Sequence, residues 1–258
     1  MDLKTVTTPH VPVRYYEGGS GTPLVFLHGA GGIFPNDPFL DALAKRFHVF
    51  APLLPGYGDS GECHELRDML DITLHTWDVI EALGLKDPVL AGHSMGGMIA
   101  AEMAAIAPHD VSRLALIASG GLWLGAHPIP DIFTLLPYEY PAMMFHDPEK
   151  GAEFFTAGTS FSDPEWLKEF LVRNARQLGM AGKILFPIPD RGLSGRLYRI
   201  GAKTLIIWGE SDRLVPPVYA RAFAEAIANS ERIDIAEAGH LLTLEQPEAV
   251  AAAVAKLA

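Results

Sequence analysis

Short apolar segments alternate with longer amphipathic ones along most of this chain, and that alternation limits the possible folds more than any other feature. Residues 24–28, 88–92, 113–118 and 203–208 are largely apolar without a polar residue at every second position, the pattern of strands covered on both faces. Residues 13–17, 47–51 and 231–235 add three more strand candidates, the first followed by the turn Gly18-Gly19-Ser20-Gly21. Between them, residues 64–83 repeat apolar side chains near a 3.6-residue period (Leu66, Met69, Leu70, Ile72, Leu74, Trp77, Ile80, Leu83) and end at Gly84. Residues 95–107, 217–228 and 247–257 read as further helices, with Pro247 suited to a first turn. The alternation predicts an α/β fold: a doubly wound, mostly parallel sheet with right-handed crossovers.

The alternation lapses between about Ser119 and Leu197, where the chain becomes Pro-rich and aromatic. A loop of that length without structure is improbable in a compact domain, so the stretch is expected to be a mostly helical insertion. Residues 163–178 carry its clearest helix, with Asp163 as N-cap, Pro164 in the first position, and Trp166, Phe170 and Leu171 expected on one face. The expected organisation is a core of residues 1–118 and 199–258 with a helical cap, 119–198, laid over the strand ends.

A length of 258 residues suits one such domain with an insertion. The net charge of −11, with no Lys/Arg cluster to offset it, argues against nucleic acid as a partner. Cys63 is the only cysteine, so no intrachain disulfide is possible, and no acid or His surrounds it in a reactive signature. The first 21 residues hold no continuous apolar stretch of signal-peptide type, and no apolar run reaches membrane-spanning length. A soluble, cytoplasmic protein without membrane attachment is the expectation. No metal-ligand spacing and no phosphate-binding glycine loop is present, so no metal or cofactor is implied.

The chemistry concentrates at Gly92-His93-Ser94-Met95-Gly96, a G-x-S-x-G pentapeptide set between an apolar strand and a helix. So tight a turn leaves no room for side chains two positions either side of the serine. Ser94 then projects above the sheet at a helix N-terminus, where a hydroxyl serves as nucleophile. Its base is expected to be His240, which follows the last strand candidate. The orienting acid is expected to be Asp212, after the preceding strand; Glu210 competes, but Asp212 sits later in the loop and has more reach. Ser94, Asp212 and His240 occur in the chain order this architecture requires. The backbone N–H groups of Met95 and Ala30, with Gly31 as alternative to Ala30, are expected to form an oxyanion hole. His28 is expected to brace the glycine-rich loop 28–32 rather than act as a base, and Asp59 and Ser60 to be turn residues.

On these residues the sequence resembles the α/β-hydrolase superfamily, through HGAGG at 28–32, LPGYGDSG at 54–61, GHSMGG at 92–97, GESDRLVP at 209–216 and GHLLTLEQPE at 239–248. The resemblance implies an eight-stranded sheet with a cap between strands six and seven. Serine at 94 sets the chain apart from the haloalkane dehalogenases and epoxide hydrolases, which resemble it but use aspartate there. Carbon–carbon bond hydrolases of ring-cleavage products are similar in layout, although several carry Trp where this chain has Leu241. Hydroxynitrile lyases and cofactor-free perhydrolases share the triad.

The expected activity is hydrolysis of an ester of a small, largely apolar acid or alcohol, as in carboxylesterases. The alternative is carbon–carbon cleavage of a vinylogous diketone, with Arg173 or Arg176 recognising a carboxylate; a remote third is a ligand receptor without catalysis. Trp123, Met143, Met144, Phe145, Trp166 and Leu241 are the nominated substrate contacts, chosen because an aromatic, Met-rich cap suits an apolar pocket.

Overall fold

The apolar runs become the interior of one twisted sheet. In a computed structural model that describes residues 1–34, 36–186 and 190–258, the strands are β1 (Asp2–Thr7), β2 (Pro12–Gly19), β3 (Pro23–Leu27), β4 (His48–Pro52), β5 (Val89–His93), β6 (Arg113–Ile117), β7 (Lys203–Gly209) and β8 (Ser230–Ile235). Their order across the sheet is β1-β2-β4-β3-β5-β6-β7-β8. β1–β2 and β2–β4 pair antiparallel, and every pair from β4–β3 onward is parallel. All five residues of β5 are buried, whereas β1 and β8, at the edges, are mostly exposed or half-buried. β1 escaped the residue-level reading because it is a polar edge strand, Lys4, Thr5 and Thr7 included, that gains order only by pairing with β2.

The helices are α1 (Pro38–Ala44), α2 (Met69–Ala82), α3 (Met95–Ile106), α4 (Tyr140–Met144), α5 (Pro148–Thr156), α6 (Pro164–Leu185), α7 (Val218–Ala226), α8 (Leu242–Glu245) and α9 (Pro247–Val254). From β3 the chain crosses through α1 to β4 on one side, and from β5 through α3 to β6 on the other. Right-handed crossovers in opposite directions put helices on both faces. They also open a crevice beyond the carboxyl ends of β3 and β5, where the order reverses.

α4, α5 and α6 lie between β6 and β7, inside the expected insertion, of which residues 187–189 fall outside the described residues. α6 begins as expected, with the Asp163 carboxylate accepting from the Trp166 N–H at 2.8 Å, but runs to Leu185 rather than 178. Leu171, expected on one face with Trp166 and Phe170, is exposed, whereas Phe170 is buried. Among the described residues no helix is long and apolar enough to cross a membrane.

α3 is buried on nearly every side, which its alanines permit, and it carries Glu102 into the interior. That carboxylate is held by the forked Arg196 guanidinium, whose Nε donates to Oε2 at 2.9 Å and whose Nη2 bonds Oε1. Arg196→Met removes the partner and leaves a buried acceptor without one. A loss of about 1–3 kcal/mol in urea unfolding, at unchanged m-value, is the expected outcome.

Candidate active site

The turn at Ser94 is strained, and its surroundings make the strain obligatory. Ser94 has φ 53° and ψ −114°, a conformation costing about 1–3 kcal/mol for a non-glycine residue. Three backbone bonds hold it there: its N–H donates to Ile117 O (2.9 Å), and its carbonyl accepts from Met98 (3.1 Å) and Gly120 (3.0 Å). A Cβ on Gly92 would lie 2.2 Å from Gly96 O, and one on Gly96 would lie 2.0 Å from Leu27 O. Both glycines are therefore set by steric contact with backbone.

Asp212, His240 and Ser94 form a continuous hydrogen-bonded line. His240 Nδ1 lies 2.9 Å from Asp212 Oδ2, and His240 Nε2 lies 2.9 Å from Ser94 Oγ. A carboxylate can only accept, so Nδ1 carries the proton and the Nε2 lone pair faces the serine hydroxyl. The other Asp212 oxygen accepts from the N–H groups of Leu214 (3.0 Å) and Val215 (2.8 Å), which fixes the carboxylate plane. The Asp212 and His240 side chains are buried, while Glu210 points to solvent.

Two further histidines serve as neutral braces. His93 Nε2–H donates to the His240 carbonyl at 2.8 Å, and burial pushes the His93 imidazole down to about 3. His28 Nδ1–H donates to Gly29 O at 2.8 Å, and its Nε2 accepts from the Leu54 N–H at 3.1 Å. Burial pushes His28 down to about 4. His28 thus ties the glycine-rich loop to the segment that follows β4. That loop turns sharply, with Gly32 N–H donating to Gly29 O, and a Cβ on Gly29 would meet His93 Nδ1 at 3.0 Å. Ala30, in this loop, borders one cavity with Ser94, and Met95, at the first turn of α3, borders another with it.

Two cavities meet at Ser94. The larger, about 120 Å³, is bounded by Ser94, His240 and Leu241, by residues 28–32, and by Ile132, Tyr140, Met144, Phe155 and Phe170. Its polar edge is Asp37, Arg173, Asn174, Gln177 and Thr243. The smaller, about 60 Å³, is bounded by Met95, Met98, Leu122, Ile129, Ile184, Leu185 and Val215 with Arg191 as its charged member, and shares Ser94, Ile132 and Leu214 with the first. Burial pushes the Asp37 carboxyl up to about 6, although it caps α1 by accepting from Phe39 and Leu40 N–H groups.

Of the nominated substrate contacts, Met144 and Leu241 border the larger cavity. Trp123, Met143, Phe145 and Trp166 border neither. Trp166 lies behind the wall: its ring stacks on Phe170 at 5.0 Å and its Nε1–H donates to Phe155 O. Phe145 packs under Phe154 and Phe155. Arg176 is a fastener, donating to Gly58 O (3.0 Å) and Ser60 O (3.1 Å), whereas Arg173 borders the cavity. Phe170, Arg173, Asn174 and Gln177 follow the i, i+3, i+4, i+7 pattern of one helix face, a signal in the sequence that identifies the cavity wall once Leu171 is set aside. Ser60 is a turn brace, its hydroxyl donating to Leu53 O and accepting from Arg14 N–H.

With this geometry in view, comparison with known proteins is informative. A model of the alpha/beta hydrolase family matches residues 24–253. The chain is 32% identical, over 92% of its length, to the dihydrolipoyllysine-residue acetyltransferase component of the acetoin cleaving system of Pseudomonas putida, and spans 64% of that relative. It is 27% identical to the 2-hydroxy-6-oxo-6-phenylhexa-2,4-dienoate hydrolase of Comamonas testosteroni, over 92% of this chain and 87% of the relative. Among solved structures, a bacterial membrane phospholipase A superposes with a TM-score of 0.80 at 25% identity, over 97% of this chain and 83% of that one.

Proposed function

Because the chain belongs to the alpha/beta hydrolase family, we propose that it is a serine hydrolase cleaving esters of small, largely apolar substrates through an acyl-enzyme on Ser94. The observation that carries this reading is the line Asp212–His240–Ser94 opening into a cavity with apolar walls. His240 Nε2 takes the Ser94 proton as Oγ attacks the carbonyl carbon. The N–H groups of Ala30 and Met95 stabilise the negative charge that develops on the carbonyl oxygen. His240, now cationic and held by Asp212, protonates the leaving alcohol. Water then repeats the sequence on the acyl-enzyme and releases the acid.

Proton delivery also divides the substrate. The alcohol must receive its proton from His240, which borders the larger cavity and not the smaller. The leaving group is therefore assigned to the larger cavity, beside Arg173, Asn174 and Gln177, and the acyl group to the smaller one around Met98, Leu122 and Val215, whose one charged lining residue among those described is Arg191. Likeness to a phospholipase structure supports ester chemistry. A fluorophosphonate probe is expected to label the wild-type protein and not Ser94→Ala. A folded wild-type protein that stays unlabelled contradicts the reading, and fits a receptor without an activated serine.

One observation favours a second reading. Arg173 borders the cavity, where a guanidinium suits a substrate carboxylate, and the Comamonas relative is named for a dienoate. Bleaching of a coloured ring-cleavage product with catalytic efficiency well above that for aryl esters would establish carbon–carbon bond hydrolysis instead.

A further inference from the structure

The loops bearing Asp212 and His240 leave different strands, yet both grip the same short piece of the insertion, residues 142–146. From the β7 side, Arg213 Nη1 donates to the carbonyls of Ala142 (3.0 Å) and Phe145 (2.8 Å), and His146 Nδ1 lies 2.7 Å from Ser211 Oγ. From the β8 side, the Leu241 N–H donates to Met144 O at 2.9 Å. Glu245, in α8, closes the ring. One of its carboxylate oxygens accepts from the His146 N–H at 2.8 Å and the other from the Gly239 N–H at 2.6 Å. Gly239 has to be glycine here: a Cβ would lie 2.7 Å from Met144 O and 2.8 Å from His146 N.

Gly239 and Leu241 are the two neighbours of His240. The backbone on both sides of the imidazole is thus pinned to the insertion, once through Glu245 and once directly. We propose that Glu245 is a positioning residue. By joining Gly239 to His146 it fixes the backbone from which His240 projects, and keeps Nε2 in line between Ser94 and Asp212. This rests on the reading of Ser94 and His240 as the reacting pair. Losing the carboxylate leaves two N–H groups without their acceptor and frees the base loop to shift. A displacement of about 1 Å at a reacting group costs up to about a hundredfold in rate.

Glu245 also borders an open cleft of about 620 Å³, with His146, Lys150, Glu237 and Gln246 on its walls. A small carboxylate can therefore reach the place its side chain occupies.

The test compares Glu245→Ala, Glu245→Gln and the control Gln246→Ala, using an ester whose hydrolysis by the wild-type protein depends on Ser94. In Glu245→Ala, kcat is expected to fall by about 10- to 100-fold with KM within about twofold. Acetate is expected to restore part of that loss, but not in Glu245→Gln, whose amide fills the space. Gln246→Ala is expected to keep the wild-type kcat. The low-field proton resonance of the His240 Nδ1–H, read without turnover, is expected to move in Glu245→Ala and to return with acetate. A folded Glu245→Ala protein with wild-type kcat overturns the proposal, as does an unmoved resonance or a depressed kcat that acetate leaves unchanged. Failure of the hydrolase reading itself looks different: no ester is then found whose hydrolysis Ser94→Ala abolishes.

Discussion

Replacing Ser94 with alanine is expected to lower kcat for a chromogenic acyl ester by about 10⁴-fold or more. Among the described residues the hydroxyl makes one hydrogen bond, to His240 Nε2, so its removal withdraws the nucleophile and little else. Alanine meets the same backbone strain at φ 53° as serine, and the three backbone bonds that hold the turn are retained. The melting temperature should therefore change by no more than a few degrees. On the proposed mechanism any residual rate comes from the oxyanion donors and binding, so adding His240→Ala to Ser94→Ala should cost almost nothing further. Near wild-type turnover in a folded Ser94→Ala protein would remove the basis of the mechanism.

Stability is expected to fall steeply as the pH drops from 6.5 towards 4. Burial holds His28 and His75 down to about 4 and His93 to about 3, against 6.5 for the unfolded chain. A histidine depressed in this way is neutral when folded and takes up a proton on unfolding. Its contribution is present above pH 6.5 and is lost as the pH falls through the folded value. Asp37 works in the opposite sense. Raised to about 6, it is protonated in the folded protein at pH 5, whereas its unfolded form, at 3.8, is ionised. At pH 5 unfolding therefore binds about two protons net, a slope of about 3 kcal/mol per pH unit. Urea unfolding at pH 7, 6 and 5 measures it directly, and equal stabilities across that range would contradict the assignment. Asp37→Asn removes the opposing group and should steepen the loss by about one proton.

His75 enters this balance without any role at the site. It is enclosed on α2, and neither ring nitrogen has a hydrogen-bond partner among the described residues. Its lowered value, like those of the braces His28 and His93, comes chiefly from burial.

What could be read from the chain depended on how local the constraint was. The Ser94 turn is local: Gly92 and Gly96 are needed because the strand and the helix meet within a few residues. The strands that read most clearly, β3, β5, β6 and β7, are covered on both faces, and burial writes itself into every position. β1 is written faintly because four of its six residues are exposed and, among the described residues, it pairs with β2 alone. In the insertion the aromatic residues were visible, but their division between lining and support was not. Trp166 and Phe170 lie four residues apart on one helix, yet Phe170 borders the cavity while Trp166 stacks behind it. Packing between separate helices decides which ring faces inward, and composition holds no record of that choice.

By itself, then, the sequence determined the sheet's apolar strands, the strained serine turn and the order in which Ser94, Asp212 and His240 occur, because backbone sterics and short-range periodicity act along the chain. Only the tertiary structure decided that Arg173 borders the cavity while Arg176 fastens a loop, and that Glu245 and Arg213 bind the loops of His240 and Asp212 to residues 142–146. Those contacts join residues about 70 to 120 positions apart. They exist only because the sheet brings the carboxyl ends of its strands to one edge, where hydrogen bonds and van der Waals forces acting over a few ångströms can connect them.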